Sequence, residues 1–182
     1  AGIALVNQYA DFVELVQHGW QHINHETTGR KCEFGVSRAF AEQLADLSRG
    51  QARMNEAFGA QWFPAFIPPW NRCTSVTEQA LRQLGFHVLS KLQEPDTEAA
   101  TLAEISVTLD LFRWKDGAQL KPAAALWQAL AQQIQQGKTV GIMLHHKVML
   151  DDAFTFLEQL LDELQPFPNV RFHRLQDLWQ TP

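Results

Sequence analysis

The sequence predicts an α/β fold built on a largely parallel sheet, either open or closed into a barrel. Three observations carry that prediction. Short apolar, β-prone runs alternate with longer segments whose apolar residues recur at helical spacing. Helix start and stop signals fall between them, among them Gly85, Pro122 and Gly137. With 182 residues, 46% of them hydrophobic and 19% charged, the chain is long enough for one sizeable core. No internal repeat or low-complexity linker interrupts it, so 1–182 reads as a single domain.

Taken in order, the apolar runs 3–6 and 12–16 are short enough to be buried strands. Between Val36 and Phe58, the residues Phe40, Leu44, Leu47, Met54 and Phe58 recur at helical spacing, and Gly50 is a candidate break or kink. The run 62–67 is a strand that must stop at Pro68 and Pro69, because proline offers no N–H to a ladder. Ser75 and Glu78 have capping-box spacing at the start of a helix that Gly85 closes. Residues 86–89 form the next strand, 91–103 a surface excursion and 105–109 a further strand. Lys115, Asp116 and Gly117 mark a turn, after which Pro122 opens an Ala/Gln-rich helix that Gly137 ends. The run 139–144 is a strand. Asp151 caps a helix with Phe154, Leu157, Leu160, Leu161 and Leu164 inward, and 170–172 is a last strand.

In folds of this kind the ligand sits at the carboxyl ends of the strands. Four chemically loaded segments fall at such places: 18–25, 68–72, 110–114 and 145–146. Five of the seven histidines lie in the first and last of these, a clustering that surface filler would not produce. His18 and His22, at i and i+4, can turn toward one metal from a helix face or a tight turn, with His25 one step further along. The same pair also suits capping or surface histidines beside a core tryptophan. Trp20, Trp70 and Trp114 suit the apolar faces of a sugar ring and suit a protein core equally well. Alternation along a strand sends His145 and His146 to opposite sides, so one of them faces a pocket. His87 and His173 sit in apolar surroundings and read as structural.

Charge and length exclude some classes. A net charge of -5 with no basic block argues against a nucleic-acid or anionic-membrane partner and favours an uncharged or cationic small ligand. No apolar run has the length of a membrane span. The two cysteines, Cys32 and Cys73, form no disulfide framework and carry no mark of reactivity. The apolar start has no basic n-region or cleavage pattern and reads as a strand, not a signal peptide.

Four of these segments resemble, in order, motifs of the polysaccharide deacetylase family, the NodB-homology or carbohydrate esterase family 4 group. His18-Gly19-Trp20-Gln21-His22 resembles its His-[Ser/Thr]-x-x-His metal motif. Pro68-Pro69-Trp70-Asn71-Arg72 resembles its Arg-x-Pro-[Tyr/Phe] groove motif. Asp110-Leu111-Phe112-Arg113-Trp114 resembles Asp-x-x-Asp-Trp, and Ile142-Met143-Leu144-His145 resembles the closing Leu-x-His.

The resemblance implies a distorted (β/α) barrel and a divalent metal, usually zinc, held by an aspartate and two histidines. It implies removal of an N-acetyl group from an amino-sugar-containing glycan by attack of metal-bound water. His18 and His22 would be the metal ligands. His145 would be the general acid for the departing amine, with Asp110 beside it in the catalytic set. Trp20, Pro69, Trp70, Asn71, Arg72 and Trp114 would bind the carbohydrate. The family's Thr-Phe-Asp-Asp strand, which supplies the third ligand and the base, has no counterpart here, and the expectation is that the first β/α unit is missing from this chain. Arg72 follows the prolines instead of preceding them, and Arg113 stands where the family has an aspartate. The alternative is a catalytically degenerate domain on the same fold that binds a carbohydrate or a partner. The sequence leaves the oligomeric state and the compartment open.

Overall fold

The computed structural model describes residues 2–92 and 102–180, and the chain packs as two compact units, Ala1–Ile105 with His173–Pro182, and Ser106–Phe172. The first unit is centred on a four-stranded sheet: β1 (Leu15–Gln17), β2 (Trp62–Phe66), β3 (Val88–Leu89) and β4 (Ala103–Glu104), in that spatial order. Every pairing is parallel, with Leu15 opposite Trp62, Ala65 opposite Val88 and Val88 opposite Ala103. Parallel neighbours need a crossover, and helices supply the first two. The crossover helices are α2 (Phe40–Phe58), between β1 and β2, and α3 (Ser75–Gln83), between β2 and β3.

The core of this unit is aromatic and aliphatic. Phe34, Leu47, Phe66, Leu81 and Leu89 are fully buried, and Trp62 and Phe86 pack beside them. Burying side chains of this size contributes about 1.5–3 kcal/mol each relative to leaving them exposed. A polar knot inside this core fixes the loop before α2. Gln43, wholly buried, donates to the carbonyls of Gly35 at 3.2 Å and Arg38 at 3.0 Å. The buried Thr77 hydroxyl lies 2.7 Å from Gln43 Oε1 and 3.1 Å from the Phe34 carbonyl. Phe34 also bridges to Cys73. Residues 33–35 are thereby held from both sides.

Several expectations change here. The apolar run 3–6 lies in a helix, α1 (Gly2–Gln8), and not in a strand; a run that short has no periodicity to tell the two apart. The next strand begins at Leu15, later than expected, after a turn at Asp11 and Phe12. Gly50 does not break its helix. α2 runs continuously through it, and a Cβ there would lie 2.1 Å from Gln17 Nε2, so the glycine makes room for a buried glutamine. The α3 cap sits one residue early: the Thr74 N–H donates to Thr77 Oγ1 at 3.1 Å, and Glu78 is left to pair with the buried Lys91 at 2.9 Å. Gly85, with φ +77°, closes this helix as expected.

The second unit holds β5 (Leu109–Asp110) in a parallel pair with β8 (Ile142–Met143), and β6 (Phe112–Arg113) in an antiparallel pair with β7 (Gln119–Leu120). α4 (Ala123–Gln135) starts directly after Pro122, and the chain leaves it at Gly137, φ +63°. α5 (Asp151–Leu164) follows β8. Leu111, Leu126, Leu130, Phe156 and Leu160 form the core.

The expected strand 105–109 is in fact the divide between units. Ala103–Glu104 ends the first sheet, Leu109–Asp110 begins the second ladder, and the apolar alternation runs across both. On α5 the buried residues are Ala153, Phe156 and Leu160, whereas Phe154 and Leu161 are exposed, so the helix is rotated from the expected face. The expected strand 170–172 is irregular, with Phe172 exposed. The chain then forms α6 (Leu175–Gln180), whose first amides, Leu175 and Gln176, donate to the Glu14 carboxylate at 2.9 and 3.1 Å. The excursion 91–103 falls largely on residues 93–101, outside the described residues. Mixed α/β structure with a parallel sheet is therefore what the chain adopts; the ladders among the described residues are one open sheet and two pairs, and closure into a barrel is not among them. Among the described residues no helix is long and apolar enough to cross a membrane.

Candidate functional site

At the carboxyl end of β1 the chain enters an irregular loop, and this loop carries His18 and His22. The i, i+4 spacing therefore works from a loop instead of a helix face. His18 Nδ1 lies 2.9 Å from the Ile67 carbonyl at the end of β2, so it is the hydrogen-bonding nitrogen and Nε2 is left for another partner. The two imidazole rings are 5.3 Å apart. Partial withdrawal of the His18 ring from water holds its pKa below the ordinary histidine value, with neighbouring His22 acting in the same direction; the Ile67 carbonyl and Glu33 oppose them.

The loop is held under strain. His22 has φ +57°, a left-handed conformation that costs a non-glycine residue of order 1–3 kcal/mol. Its ring lies 4.4 Å from that of Trp70, and Trp70 and Asn71 have φ +57° and +56° in the short turn Pro69–Asn71. Three strained residues thus belong to two adjoining loops at one end of the sheet. Gly19, φ +65°, is needed for a further reason: a Cβ there would lie 2.3 Å from Glu33 Oε2 and 2.5 Å from Pro69 Cγ.

Glu33 was not singled out by the sequence, and it organises the loop. Wholly buried, it accepts from three successive backbone amides: Trp20 at 3.2 Å, Gln21 at 2.7 Å and His22 at 3.0 Å. Its only signal in the sequence is a carboxylate between Cys32 and Phe34, two residues of the core type. His25 joins its backbone to the Cys32 carbonyl at 3.0 Å. Trp20 packs against the hydrophobic core, the bland alternative for that residue. Arg72 Nη1 donates to the Lys31 carbonyl at 3.2 Å, and the Arg72 carbonyl lies 3.3 Å from Cys32 Sγ, so this arginine ties two loops together. Burial pushes the thiol of Cys32 up and that of Cys73 up to about 12, which keeps both unreactive.

In the second unit the parallel pairing of β5 with β8 sets Asp110 opposite Met143, and His145 follows two residues later. His145 Nε2 lies 3.0 Å from Asp110 Oδ1, an oxygen that also accepts the Phe112 N–H at 2.8 Å. Trp114 stands edge-on to His145 at 4.7 Å, with its Nε1 3.4 Å from Asp110 Oδ2, and is half exposed. The carboxylate thus orients the imidazole, and the indole flanks it. His146 is exposed. His87 stacks on Trp179 at 4.2 Å, a structural contact.

Among solved structures, the chain is similar in fold to a protein from Mycobacterium smegmatis provisionally named a polysaccharide deacetylase, with a TM-score of 0.68 and 15% sequence identity over 97% of this chain. It spans 64% of that protein's length, less than two thirds. At that identity the likeness is one of fold. No family model matches the chain, and no curated protein matches it.

His18 and His22 fit a divalent cation in kind: two imidazoles within reach of one another, one with its second nitrogen already engaged by a carbonyl. They do not fit it in number. Among the described residues no group of three His, Cys, Asp or Glu side chains is placed to hold a metal, and both Glu33 oxygens are occupied by amides.

Proposed function

We propose that the chain is a deacetylase-like hydrolase that removes an N-acetyl group from an amino-sugar-containing glycan, with His18 and His22 as two donors to a divalent cation. Zinc suits imidazole donors. An ion held by His18 and His22 would supply polarisation of the acyl oxygen and a more acidic water. The residues of this chain do the rest. Within the second unit, His145, held in orientation by Asp110, would act as a general acid. Trp114 flanks that imidazole and limits its contact with water. Trp70 and Asn71 present an aromatic face and an amide suited to a pyranose, and Pro69 stiffens the turn that carries them. Trp20 and Arg72 also hold the loops that carry them.

The observation that carries this reading is the Asp110–His145 pair at 3.0 Å beside Trp114. A carboxylate on one imidazole nitrogen fixes the tautomer and leaves the other nitrogen to exchange a proton, an arrangement suited to general acid chemistry. The fold likeness lends support at the level of architecture.

The test is turnover of an N-acetylated chito-oligosaccharide, followed as acetate release in the presence of zinc. His145→Ala is expected to lower kcat about 10²- to 10⁴-fold, and His22→Ala to lose bound zinc. Turnover of model esters with none of N-acetylated sugars would replace the substrate class. Saturable sugar binding without any turnover would favour the binding-domain alternative.

A further inference from the structure

The amino end of the first sheet carries a cleft that the proposed reaction does not use. Its volume is about 300 Å³, and it is lined by Glu14, Gln61, His87, Arg174, Gln176 and Trp179, all within the first unit. Glu14 directly precedes β1, Gln61 precedes β2 and His87 precedes β3, so the cleft opens where the parallel strands begin. His18 and Trp70 lie past the other ends of the same strands. The five residues of β2 set those two ends about 17 Å apart. We infer that this cleft is a second binding site, for a neutral sugar, separate from the loops that carry His18, His22 and Trp70. Its chemistry is independent of what happens at the carboxyl end.

The aromatic wall of the cleft is held from several sides. The imidazole of His87 stacks on the Trp179 indole at 4.2 Å with 9° between the planes, and Phe63 meets these two rings at 5.9 and 5.8 Å. Phe63 is itself buried on the sheet. The helix that carries Trp179, α6, is tied to the start of β1 because its Leu175 and Gln176 amides donate to Glu14 at 2.9 and 3.1 Å. With one face against His87, the indole is still 40% exposed. A flat apolar surface fixed at the rim of a cleft suits the C–H face of a pyranose.

Charge and hydrogen-bonding capacity narrow the class of ligand. The Glu14 carboxylate is already answered by two amides, and Arg174 holds Asp177 through Nε and Nη2 at 3.2 and 3.0 Å. An anion would lie against Glu14, and the guanidinium that could attract it is engaged. What remains is the side-chain amides of Gln61 and Gln176 and the ring of His87, none of which makes a hydrogen bond among the described residues. A side-chain amide both donates and accepts, so it can meet a sugar hydroxyl in either sense. The volume is at the lower end for ligand clefts, so the site would take the end of an oligosaccharide and not a long stretch of one.

The experiment is titration of the full chain with triacetylchitotriose and, separately, with cellotriose, which has hydroxyls where the first has acetamido groups. Binding is followed by the indole and side-chain amide resonances in nitrogen–proton NMR spectra, with Gln61→Ala, Trp179→Ala and Trp70→Ala titrated alongside. The expected result is a saturable shift of the Trp179 indole and Gln61 amide with at least one of the sugars, persisting in Trp70→Ala. Affinity at the cleft should fall about 2- to 10-fold in Gln61→Ala and by about 10-fold or more in Trp179→Ala. Gln61 is exposed, so its variant keeps the fold and decides the matter if Trp179→Ala does not fold. Shifts confined to Trp70 and its neighbours, unchanged by Gln61→Ala, would overturn the second site and leave the deacetylase reading intact. No shift anywhere with either trisaccharide would overturn the second site and count against the carbohydrate reading as well. Shifts at the cleft with inorganic phosphate and with neither sugar would make it an anion site and overturn the assignment.

Discussion

The two histidine-bearing regions are built by opposite means. The Asp110–His145 pair stands at the ends of two hydrogen-bonded parallel strands, so the ladder that sets Asp110 opposite Met143 also brings the two side chains together. The His18 and His22 pair lies in an irregular loop, where a buried carboxylate from 33 and a tight glycine at 19 do what a ladder does elsewhere. Strand-borne geometry follows from local pattern and pairing. Loop-borne geometry hangs on one buried carboxylate with no ladder beside it, and so it is the more fragile of the two.

The contrast can be broken most forcefully at Phe34. Phe34→Ala removes a wholly buried ring that meets Phe66 edge-on at 5.4 Å, and it is expected to cost about 3–5 kcal/mol of stability. Because Glu33 hangs from the same segment, the histidine loop should loosen well before the rest of the chain does. Phe34 belongs to a different core cluster from the one around Leu109 and Leu111, so the Asp110–His145 hydrogen bond should survive in the folded variant. Urea denaturation gives the first quantity, and the downfield ring N–H resonance of His145 the second. Simultaneous loss of both would show that the two regions are not independently built.

A finer comparison uses two glycines. A Cβ at Gly19 would meet the Glu33 carboxylate and the Pro69 ring, at a backbone φ of +65°, whereas a Cβ at Gly141 would lie 2.3 Å from the Ser106 carbonyl oxygen. Gly19→Ala combines overpacking with a left-handed alanine, and is expected to cost about 3 kcal/mol. Gly141→Ala keeps an ordinary φ, and is expected to cost about 2 kcal/mol. Equal effects on thermal unfolding would mean that the loop yields as easily as a strand end, against the view of it as a strained, externally braced segment.

How far the sequence carried the reading follows from the same division. Helices α2 to α5 were legible because amphipathic spacing and end signals agree: Gly85, Pro122 and Gly137 all act where expected. The strand β2 was legible for its length and for the prolines that stop it. The run 3–6 was misread because four apolar residues fit either a helix or a strand, and the run 105–109 because alternation continues across the boundary between units. In the candidate site, Asp110 and His145 could be grouped from their places after two strands, and the structure sets them in contact. Glu33 could not be found that way. A lone acid between two core-type residues does not announce which amides it will meet, since that depends on how Gln43 and Thr77 anchor its neighbours.

The smallest effect, and the one that sharpens the comparison most directly, concerns pH. Folding holds the His18 pKa below its ordinary value of 6.5, chiefly through withdrawal of the ring from water. As pH falls through that value the unfolded chain takes up a proton that the folded chain still resists, so the unfolded state binds more protons and stability must fall. The effect is absent well above 6.5, grows as pH drops below it, and levels off once the folded form is protonated as well. His18→Asn removes the titrating group and should flatten the part of the stability profile that lies between about pH 5 and 7. Urea midpoints across that interval, compared between the two proteins, measure it. Because residue 18 is partly open to solvent the slope it contributes is shallow, and an identical slope in the variant would mean that the His18 ring is as well hydrated in the loop as in the unfolded chain. The loop would then be looser than its hydrogen bonds to Glu33 and Ile67 imply, and the strand-borne pair would be the only one of the two regions that is rigidly set.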